Sequence, residues 1–173
     1  MKDRAVIVGC SDKFIIYFTK YLILNNIETY LIIRKNEDSD ILKEIEKDVT
    51  IIRLDGNVEH LKLFLKSIEP KVIYNLCNID LSEKPEIKEV IDRDYSEVIL
   101  ILEALTDSRS TKFINFINKT LEDENKISLD LYSAIEKSLE SIIEYYKNKY
   151  NIEVLIKYKT GDMGLDLESL MNY

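Results

Sequence analysis

Apolar residues follow two alternating patterns along this chain. Short runs rich in apolar and β-branched residues alternate with segments in which apolar residues recur every three or four positions. The first pattern is typical of buried strands, and the second is typical of helices that cover a sheet. The predicted strands are Ala5–Val8, Thr29–Ile33, Thr50–Leu54, Lys71–Cys77, Lys112–Ile117 and Glu153–Tyr158.

Helices are predicted between these strands, and their spacing indicates the topology. They are Phe14–Leu24, Ile41–Ile45, Val58–Ile68, Pro85–Leu105 and Leu129–Tyr150, while the loop Leu121–Ser128 is expected to be mobile. Strands separated by helices at this spacing form right-handed βαβ units and a parallel sheet. We therefore expect an α/β fold with a doubly wound, six-stranded parallel sheet of the Rossmann type, in the strand order 3-2-1-4-5-6.

Composition narrows the classes of protein. A chain of 173 residues can form one domain with a real core, predicted here as residues 1–160 followed by a C-terminal tail, 161–173. We expect no membrane contact, because no run of eighteen apolar residues occurs and the N-terminus lacks a signal-peptide pattern, so a cytoplasmic location is expected. The net charge of −8 disfavours nucleic-acid binding. Cys10 and Cys77 are predicted to be free thiols, and with the single His60 they match no metal-binding spacing.

The first dozen residues carry the most informative motif. The segment AVIVGCSDKFII predicts a strand, a tight turn and a helix start, which is how dinucleotide-binding folds begin. That turn needs glycines for its close approach to pyrophosphate, yet only Gly9 is present, and Asp12, Lys13 and Ile15 follow it. Gly9 and Ser11 remain candidate cofactor-binding residues. The loop is either a permissive variant or one that no longer binds a cofactor, and Lys13 would compensate only in part for the acidic Asp12.

Ligands of such folds bind outside the carboxyl ends of the strands, near the point where strand order reverses. Four residues that follow the first and fourth predicted strands should therefore face one crevice. They are Gly9, Cys10, Cys77 and Asn78.

Several segments in order resemble the extended short-chain dehydrogenase/reductase family of NAD-dependent epimerases and dehydratases, and are most similar to the GDP-mannose 4,6-dehydratases. IEPKVIYNLCNID, residues 68–80, resembles the family's fourth strand, and VILILEAL, residues 98–105, resembles the helix after it. TKFINFIN, residues 111–118, lies where the family strand ends in its catalytic Ser or Thr. Residues 131–158 resemble the stretch that holds the family's Tyr-x-x-x-Lys pair.

The resemblance implies a candidate cofactor. Arg34 and Lys35, after the second strand, are similar to a basic pair with which these dehydratases use NADP, since arginine accommodates a ribose 2′-phosphate. An exposed basic pair is the alternative. Asp55, after the third strand, resembles the family acid that binds the adenine edge, although capping the helix near Val58 would explain it equally well. NADP is thus a candidate cofactor, with Gly9, Ser11, Arg34, Lys35 and Asp55 as its candidate residues.

The catalytic positions depart from the family pattern. Tyr132 matches the family tyrosine, but Glu136 stands where the activating lysine is expected, and Lys137 points about 100° away around the helix. A carboxylate there would raise the tyrosine pKa instead of lowering it. The family Ser or Thr falls at Ile117 or Asn118. We therefore assign no catalytic residue, and Tyr132 remains only as a remnant.

Together these departures predict an inactive relative, a pseudoenzyme. Extended members of the family carry a C-terminal region for the nucleotide-sugar, and we expect this substrate domain to be absent here. The predicted function is a binding or interaction module in nucleotide-sugar or surface-polysaccharide metabolism. One alternative is an NADP-binding dehydratase, epimerase or reductase with non-standard catalytic residues. Another is a regulator that senses nucleotides or redox state.

The resemblance also implies an oligomer. In this family the helices after strands four and five pack across a two-fold axis, and here helices 85–105 and 129–150 carry apolar residues on more than one side. We expect a homodimer through these helices, or a heterodimer with a full-length relative.

Overall fold

A six-stranded parallel sheet forms the centre of the molecule. The computed structural model describes residues 2–9, 13–34, 40–76, 86–108, 110–118, 131–160 and 163–171. The strands lie in the order β3-β2-β1-β4-β5-β6, which confirms the predicted Rossmann topology. Their bounds are β1 Arg4–Val8, β2 Glu28–Arg34, β3 Thr50–Leu54, β4 Val72–Asn75, β5 Lys112–Asn118 and β6 Val154–Lys159.

Helices cover both faces of the sheet. The elements are α1 Lys13–Leu24, a 3-10 helix Asp40–Glu44, α2 Val58–Ile68, α3 Ile87–Val90, a π-helical segment Ile91–Tyr95, α4 Ser96–Leu105, α5 Leu131–Tyr150 and α6 Met163–Met171. Buried side chains of α1, the 3-10 helix and α6 belong to one core cluster, and those of α2, α4 and α5 belong to the other. Within the described part, no helix combines the length and apolar character needed to cross a bilayer.

Alternation along β1 explains why both faces are covered. Val6 and Val8 pack into the cluster beneath α2, α4 and α5, whereas Ala5 and Ile7 pack into the cluster beneath α1 and α6. All of these side chains are at most 7% exposed. Successive strand residues point to opposite faces, so a central strand buried on both sides is apolar throughout.

Three helices are followed by residues in the left-handed conformation, namely Asn26 after α1, Glu69 after α2 and Asn151 after α5. α1 stops at Asn25-Asn26, as predicted, with Asn26 at φ 61° and the Ile27 N–H donating to the Leu22 carbonyl at 3.0 Å. The N-cap of α2 is Asn57, whose side chain accepts from the Glu59 N–H at 2.9 Å, and the C-cap is Glu69, which has φ 45°. These caps satisfy backbone groups that have no partner inside the helix.

The structure differs from the sequence-based elements in two places. The predicted helix Pro85–Leu105 is interrupted by the π-helical segment, where the Ser96 N–H donates to the Ile91 carbonyl. The segment predicted as a C-terminal tail contains α6, whose Leu170 is 1% exposed in the core and whose Asp166 accepts from the Thr160 N–H at 2.7 Å. Apolar spacing predicts a helix but does not predict its hydrogen-bond register. The loop 121–128 lies outside the described residues.

Candidate functional site

A cavity of about 650 Å³ opens at the carboxyl edge of the sheet. Its walls come from the ends of β1, β2 and β3, from α2 and from the start of α4 together with the π-helical segment before it. The apolar lining is Val8, Ile32, Ile33, Leu54, Leu61, Leu100 and Ile101, and the remaining lining is Gly9, Arg34, Asp55, Gly56, Asp92, Ser96 and Glu97. This is the crevice in which doubly wound folds bind ligands.

Three of the predicted cofactor-binding residues lie around this one cavity. Gly9 follows β1, Arg34 ends β2 and Asp55 follows β3, so parallel strand ends bring them together. The other two predicted residues, Ser11 and Lys35, lie outside the described residues. Also outside them are Cys10, Asp12, Cys77 and Asn78.

Gly9 is required by packing. Its N–H donates to the Ile32 carbonyl at 3.2 Å and so extends the β1–β2 pairing. A Cβ at this position would overlap Cδ1 of Ile15 and lie 3.8 Å from the Cβ of Leu76. Because Ile15 is fully buried, it has little room to move. The glycine therefore permits close contact between β1 and α1 whether or not a ligand binds.

Arg34 joins β2 to α4 across the cavity. Its Nε donates to Oε1 of Glu97, and one of its terminal nitrogens donates to the Asp92 carbonyl at 2.7 Å. Asp92 lies in the π-helical segment, and the Glu97 side chain is only 14% exposed. The guanidinium predicted to meet a 2′-phosphate thus contacts a carboxylate of the same chain.

Asp55 faces the cavity at the start of α2. Its carboxylate accepts from the Asn57 N–H at 3.0 Å and contacts His60 Nδ1 at 3.1 Å. The hydrogen bond from Asn57, and then the charge and hydrogen bond of His60, hold the pKa of Asp55 below its usual range. Asn57 is the N-cap of α2, so Asp55 braces the turn before the cap instead of capping the helix itself. An ionised acceptor therefore lines the cavity.

The α5 helix carries Glu136 where the family resemblance expects a lysine. Tyr132 and Glu136 lie about one turn apart on α5, and the Tyr132 side chain lies outside the described part. The Tyr158 hydroxyl donates to Oε1 of Glu140 at 2.6 Å. This hydrogen bond, burial and the charges of Glu140 and Glu136 raise the pKa of Tyr158 to about 12. This part of α5 thus raises the pKa of a neighbouring phenol instead of lowering it.

The sequence analysis did not predict the charged side chain that α4 contributes to the cavity lining. The described lining holds three carboxylates, Asp55, Asp92 and Glu97, against the single guanidinium of Arg34. Glu97 stands near the start of α4, directly before the apolar run Val98–Leu102, and this position was the only signal in the sequence. Nothing local in that pattern indicates which strand end the side chain meets.

A buried amide pair in the sheet was also missed. Asn75 of β4 donates through Nδ2 to Oδ1 of Asn115 of β5 at 2.7 Å, and both are at most 1% exposed. Their positions are directly opposite in the β4–β5 register. Nδ2 of Asn115 has no hydrogen-bond partner among the described residues. In the sequence, the indication of this pair was one asparagine within each of two otherwise apolar predicted strands.

Comparison with known proteins identifies the fold. No protein-family model and no curated protein sequence matches this chain. Among solved structures it is similar to dTDP-glucose 4,6-dehydratase from Bacillus anthracis in complex with NAD, with 16% identity and a TM-score of 0.71 over 90% of this chain and 54% of that one. The fold is that of the nucleotide-sugar epimerases and dehydratases.

Two further structures agree. UDP-N-acetylglucosamine 4-epimerase from Methanobrevibacter ruminantium is 17% identical, with a TM-score of 0.69 over 90% of this chain and 54% of that one. UDP-glucose 4-epimerase from Thermus thermophilus, in complex with NAD, is 13% identical, with a TM-score of 0.68 over 88% and 53%. The chain spans about half the length of the structures that it matches. At these identities the likeness concerns the fold.

Proposed function

We propose that this chain is a nucleotide-binding module with an epimerase/dehydratase-type fold that does not catalyse the reactions of such enzymes. It acts in the cytoplasm, in nucleotide-sugar or surface-polysaccharide metabolism. The observation that carries the proposal is the cavity of about 650 Å³ at the carboxyl edge, lined by Gly9, Arg34 and Asp55.

The described lining fits the adenosine half of a dinucleotide. Leu54, Leu100 and Ile101 offer apolar walls to a purine ring, and ionised Asp55 accepts hydrogen bonds from amino or hydroxyl groups. Small-molecule sites typically combine such apolar walls with a few polar groups. A nicotinamide dinucleotide bound here would supply hydride transfer. This chain's contribution is to hold the nucleoside end.

The residues at the positions of the family's catalytic residues support binding without turnover. Glu136 stands at the position where the resemblance expects a lysine, and the hydrogen bond to Glu140 together with the charges of both carboxylates raises the pKa of Tyr158 to about 12. A catalytic base must instead have its pKa brought near the working pH. Ile117 is buried in β5 and offers no hydroxyl to orient a substrate. A module of this kind binds a nucleotide and leaves it unchanged.

Calorimetry on the full chain tests the proposal. ADP-ribose, which carries the nucleoside end without the nicotinamide, is expected to bind with a submillimolar dissociation constant. Leu100→Trp, which fills the cavity, should weaken ADP-ribose binding by at least about tenfold. Leu63→Trp is the matched control, because Leu63 lies outside the cavity and is 66% exposed. Absence of ADP-ribose binding by the folded chain would overturn the nucleotide-binding proposal.

An NADP-dependent enzyme with non-standard catalytic residues is the second candidate. The retained cavity at the carboxyl edge favours it. Incubation with NAD or NADP and with GDP-mannose, dTDP-glucose or UDP-glucose separates the two candidates. Conversion of any of these sugars would establish the second and overturn the first.

We also propose a homodimer through α3–α4 and α5. Six of the apolar residues that prompted this expectation are buried within the chain, namely Val90, Val98, Ile101, Leu102, Leu139 and Ile143. The apolar residues that face outward support an interface. Ile91 is 41% exposed and, with Ile135 of α5, borders a groove of about 290 Å³.

Sedimentation velocity tests the dimer. The wild-type chain should sediment as a dimer at tens of micromolar, and Ile91→Glu should convert it to a monomer. Leu24→Glu, at a residue of α1 that is 86% exposed, should leave the dimer intact. A wild-type monomer would contradict the homodimer. A mixed dimer with a full-length relative is the alternative partner, and it would appear on adding that relative.

A further inference from the structure

We infer that Glu97 determines ligand specificity in this cavity: it selects nucleotides with a free ribose 2′-hydroxyl and excludes those with a 2′-phosphate. The inference rests on the proposed nucleotide-binding function and specifies its ligand class. It concerns a residue of α4, whereas dinucleotide folds ordinarily make this choice with a residue at the end of the second strand.

The cation that the described lining offers to a 2′-phosphate already has partners within the chain. Arg34 stands at the end of β2, but its Nε is paired with the Glu97 carboxylate and a terminal nitrogen is bonded to the Asp92 carbonyl at 2.7 Å. Arg34 is about one-third exposed and Glu97 is 14% exposed, so solvent screens this pair less than a fully exposed one. A phosphate that bound Arg34 would share the guanidinium charge with this carboxylate.

The charge of the cavity opposes a phosphate as well. The described lining carries Asp55, Asp92 and Glu97 against Arg34 alone, a balance of two negative charges. A phosphate monoester adds between one and two more at neutral pH. Like charges placed together in a partly desolvated site carry a large penalty. The described lining residues therefore do not fit the 2′-phosphate of NADP.

The same carboxylates suit a hydroxyl. An ionised carboxylate is an acceptor only, and a ribose 2′-hydroxyl can donate to it. In dinucleotide folds an acid at the end of the second strand binds this hydroxyl. Here that strand ends in Arg34, and the acid beside it comes from α4. Arg34 thereby holds Glu97 at the ribose end of the cavity.

Titration of the full chain with NADH and NADPH, which differ by the 2′-phosphate, tests the assignment. The wild-type chain should bind NADH at least about tenfold more tightly than NADPH. Glu97→Gln keeps the shape of the side chain, removes its charge and releases Arg34, so the NADH preference should fall by at least about tenfold. Glu28→Gln is the matched control. Glu28 also pairs with an arginine, Arg4, at 3.0 Å, but it lies at the opposite end of β2.

The outcomes distinguish a failure of this inference from a failure of the nucleotide-binding function on which it rests. A wild-type preference for NADPH, or a preference that Glu97→Gln leaves unchanged, overturns the role of Glu97 while nucleotide binding stands. Binding of neither nucleotide by the wild type or the variant overturns the nucleotide-binding function itself. The wild-type ratio alone can contradict the inference, so the test survives if the variant does not fold. A thermal unfolding midpoint near that of the wild type establishes that it does fold.

Discussion

At the scale of single residues, the position after β1 is constrained by packing. Gly9 leaves space for Cδ1 of Ile15, and Ile15 is fully buried against the sheet. A glycine in a cofactor loop can therefore be required even where no cofactor binds. The motif at Gly9 predicts the fold more directly than it predicts a ligand.

Gly9→Ala should lower the free energy of unfolding by about 1–3 kcal/mol, because the new methyl overlaps Ile15 in a closely packed core. Urea unfolding followed by circular dichroism measures this. Adding Ile15→Val, which removes the overlapping Cδ1, should make the double variant less destabilised than the sum of the single changes. A Gly9→Ala variant as stable as the wild type would contradict the packing role.

The raised pKa of Tyr74 predicts that the folded chain loses stability at alkaline pH. Tyr74 is 6% exposed, and burial raises its pKa to about 12. The unfolded chain releases this proton near pH 10 and the folded chain near pH 12, so the contribution is complete below pH 10 and is lost as the pH rises to 12. Tyr74→Phe keeps the edge-to-face contact with Phe18, at 4.8 Å between ring centroids, and should reduce this loss by about 2 kcal/mol.

Denaturant unfolding at several pH values checks the tyrosine prediction. Tyr146 and Tyr158 also have pKa values raised to about 12, so the variant should keep part of the slope. Tyr17→Phe, at a tyrosine of α1 that is 50% exposed, is the control. An unchanged pH dependence in Tyr74→Phe would show that its hydroxyl has no such role.

At the scale of elements, the helix ends show where local sequence and local geometry disagree. Asn26 closes α1 in a conformation that asparagine tolerates, whereas α2 closes at Glu69 with φ 45°. The Glu69 N–H still donates to the Leu65 carbonyl at 2.8 Å. Glu69 therefore caps α2 in a backbone conformation that is strained for a residue with a Cβ.

Glu69→Gly should raise the free energy of unfolding by about 0.5–1 kcal/mol, because glycine adopts a positive φ without steric cost. The gain corresponds to a rise of roughly 1–4 °C in the unfolding temperature. Glu69→Ala removes the same charge but keeps a Cβ, so it separates the conformational effect from the electrostatic one. Equal melting temperatures for the two variants would exclude relief of backbone strain.

At the scale of the whole molecule, α6 belongs to the same core as the first strand. Leu170 is 1% exposed and packs in the cluster that contains Ala5, Ile7 and Phe18. Thr160 donates its hydroxyl to Asp166 at 2.8 Å and so fixes the approach to this helix. Residues at the two ends of the described chain therefore share one core cluster.

Leu170→Ala should destabilise the whole sheet by about 2–4 kcal/mol, since it removes a fully buried side chain. Leu165→Ala on the same helix is the matched control, because Leu165 is 55% exposed. Hydrogen exchange of the β1 amides should accelerate in the first variant and not in the second. Acceleration confined to α6 would mean that this helix unfolds separately.

Prediction from the sequence succeeded for the sheet topology, whereas the binding roles of the predicted site residues stay predictions. The strand bounds of β3 and the bounds of α2 match the prediction residue for residue. Gly9 and Asp55 follow β1 and β3 at the carboxyl edge of the sheet and line the same cavity, because parallel strands end at one edge, and their role in binding stays a prediction. The Arg34–Glu97 contact joins residues 63 positions apart, and no local pattern encodes it. The π-helical segment, whose Asp92 carbonyl accepts from Arg34, was not predicted from the sequence either.

The sequence by itself determined the order of strands and helices, the parallel sheet and the edge at which a site would form. These follow from apolar periodicity and from chain connectivity, which are properties of neighbouring residues. Only the tertiary structure decided which charges meet in the cavity, because α4 folds back over the ends of β1–β3 and brings Glu97 to Arg34. The pattern that builds the fold is local, whereas the electrostatics that would select a ligand depend on contacts between distant segments.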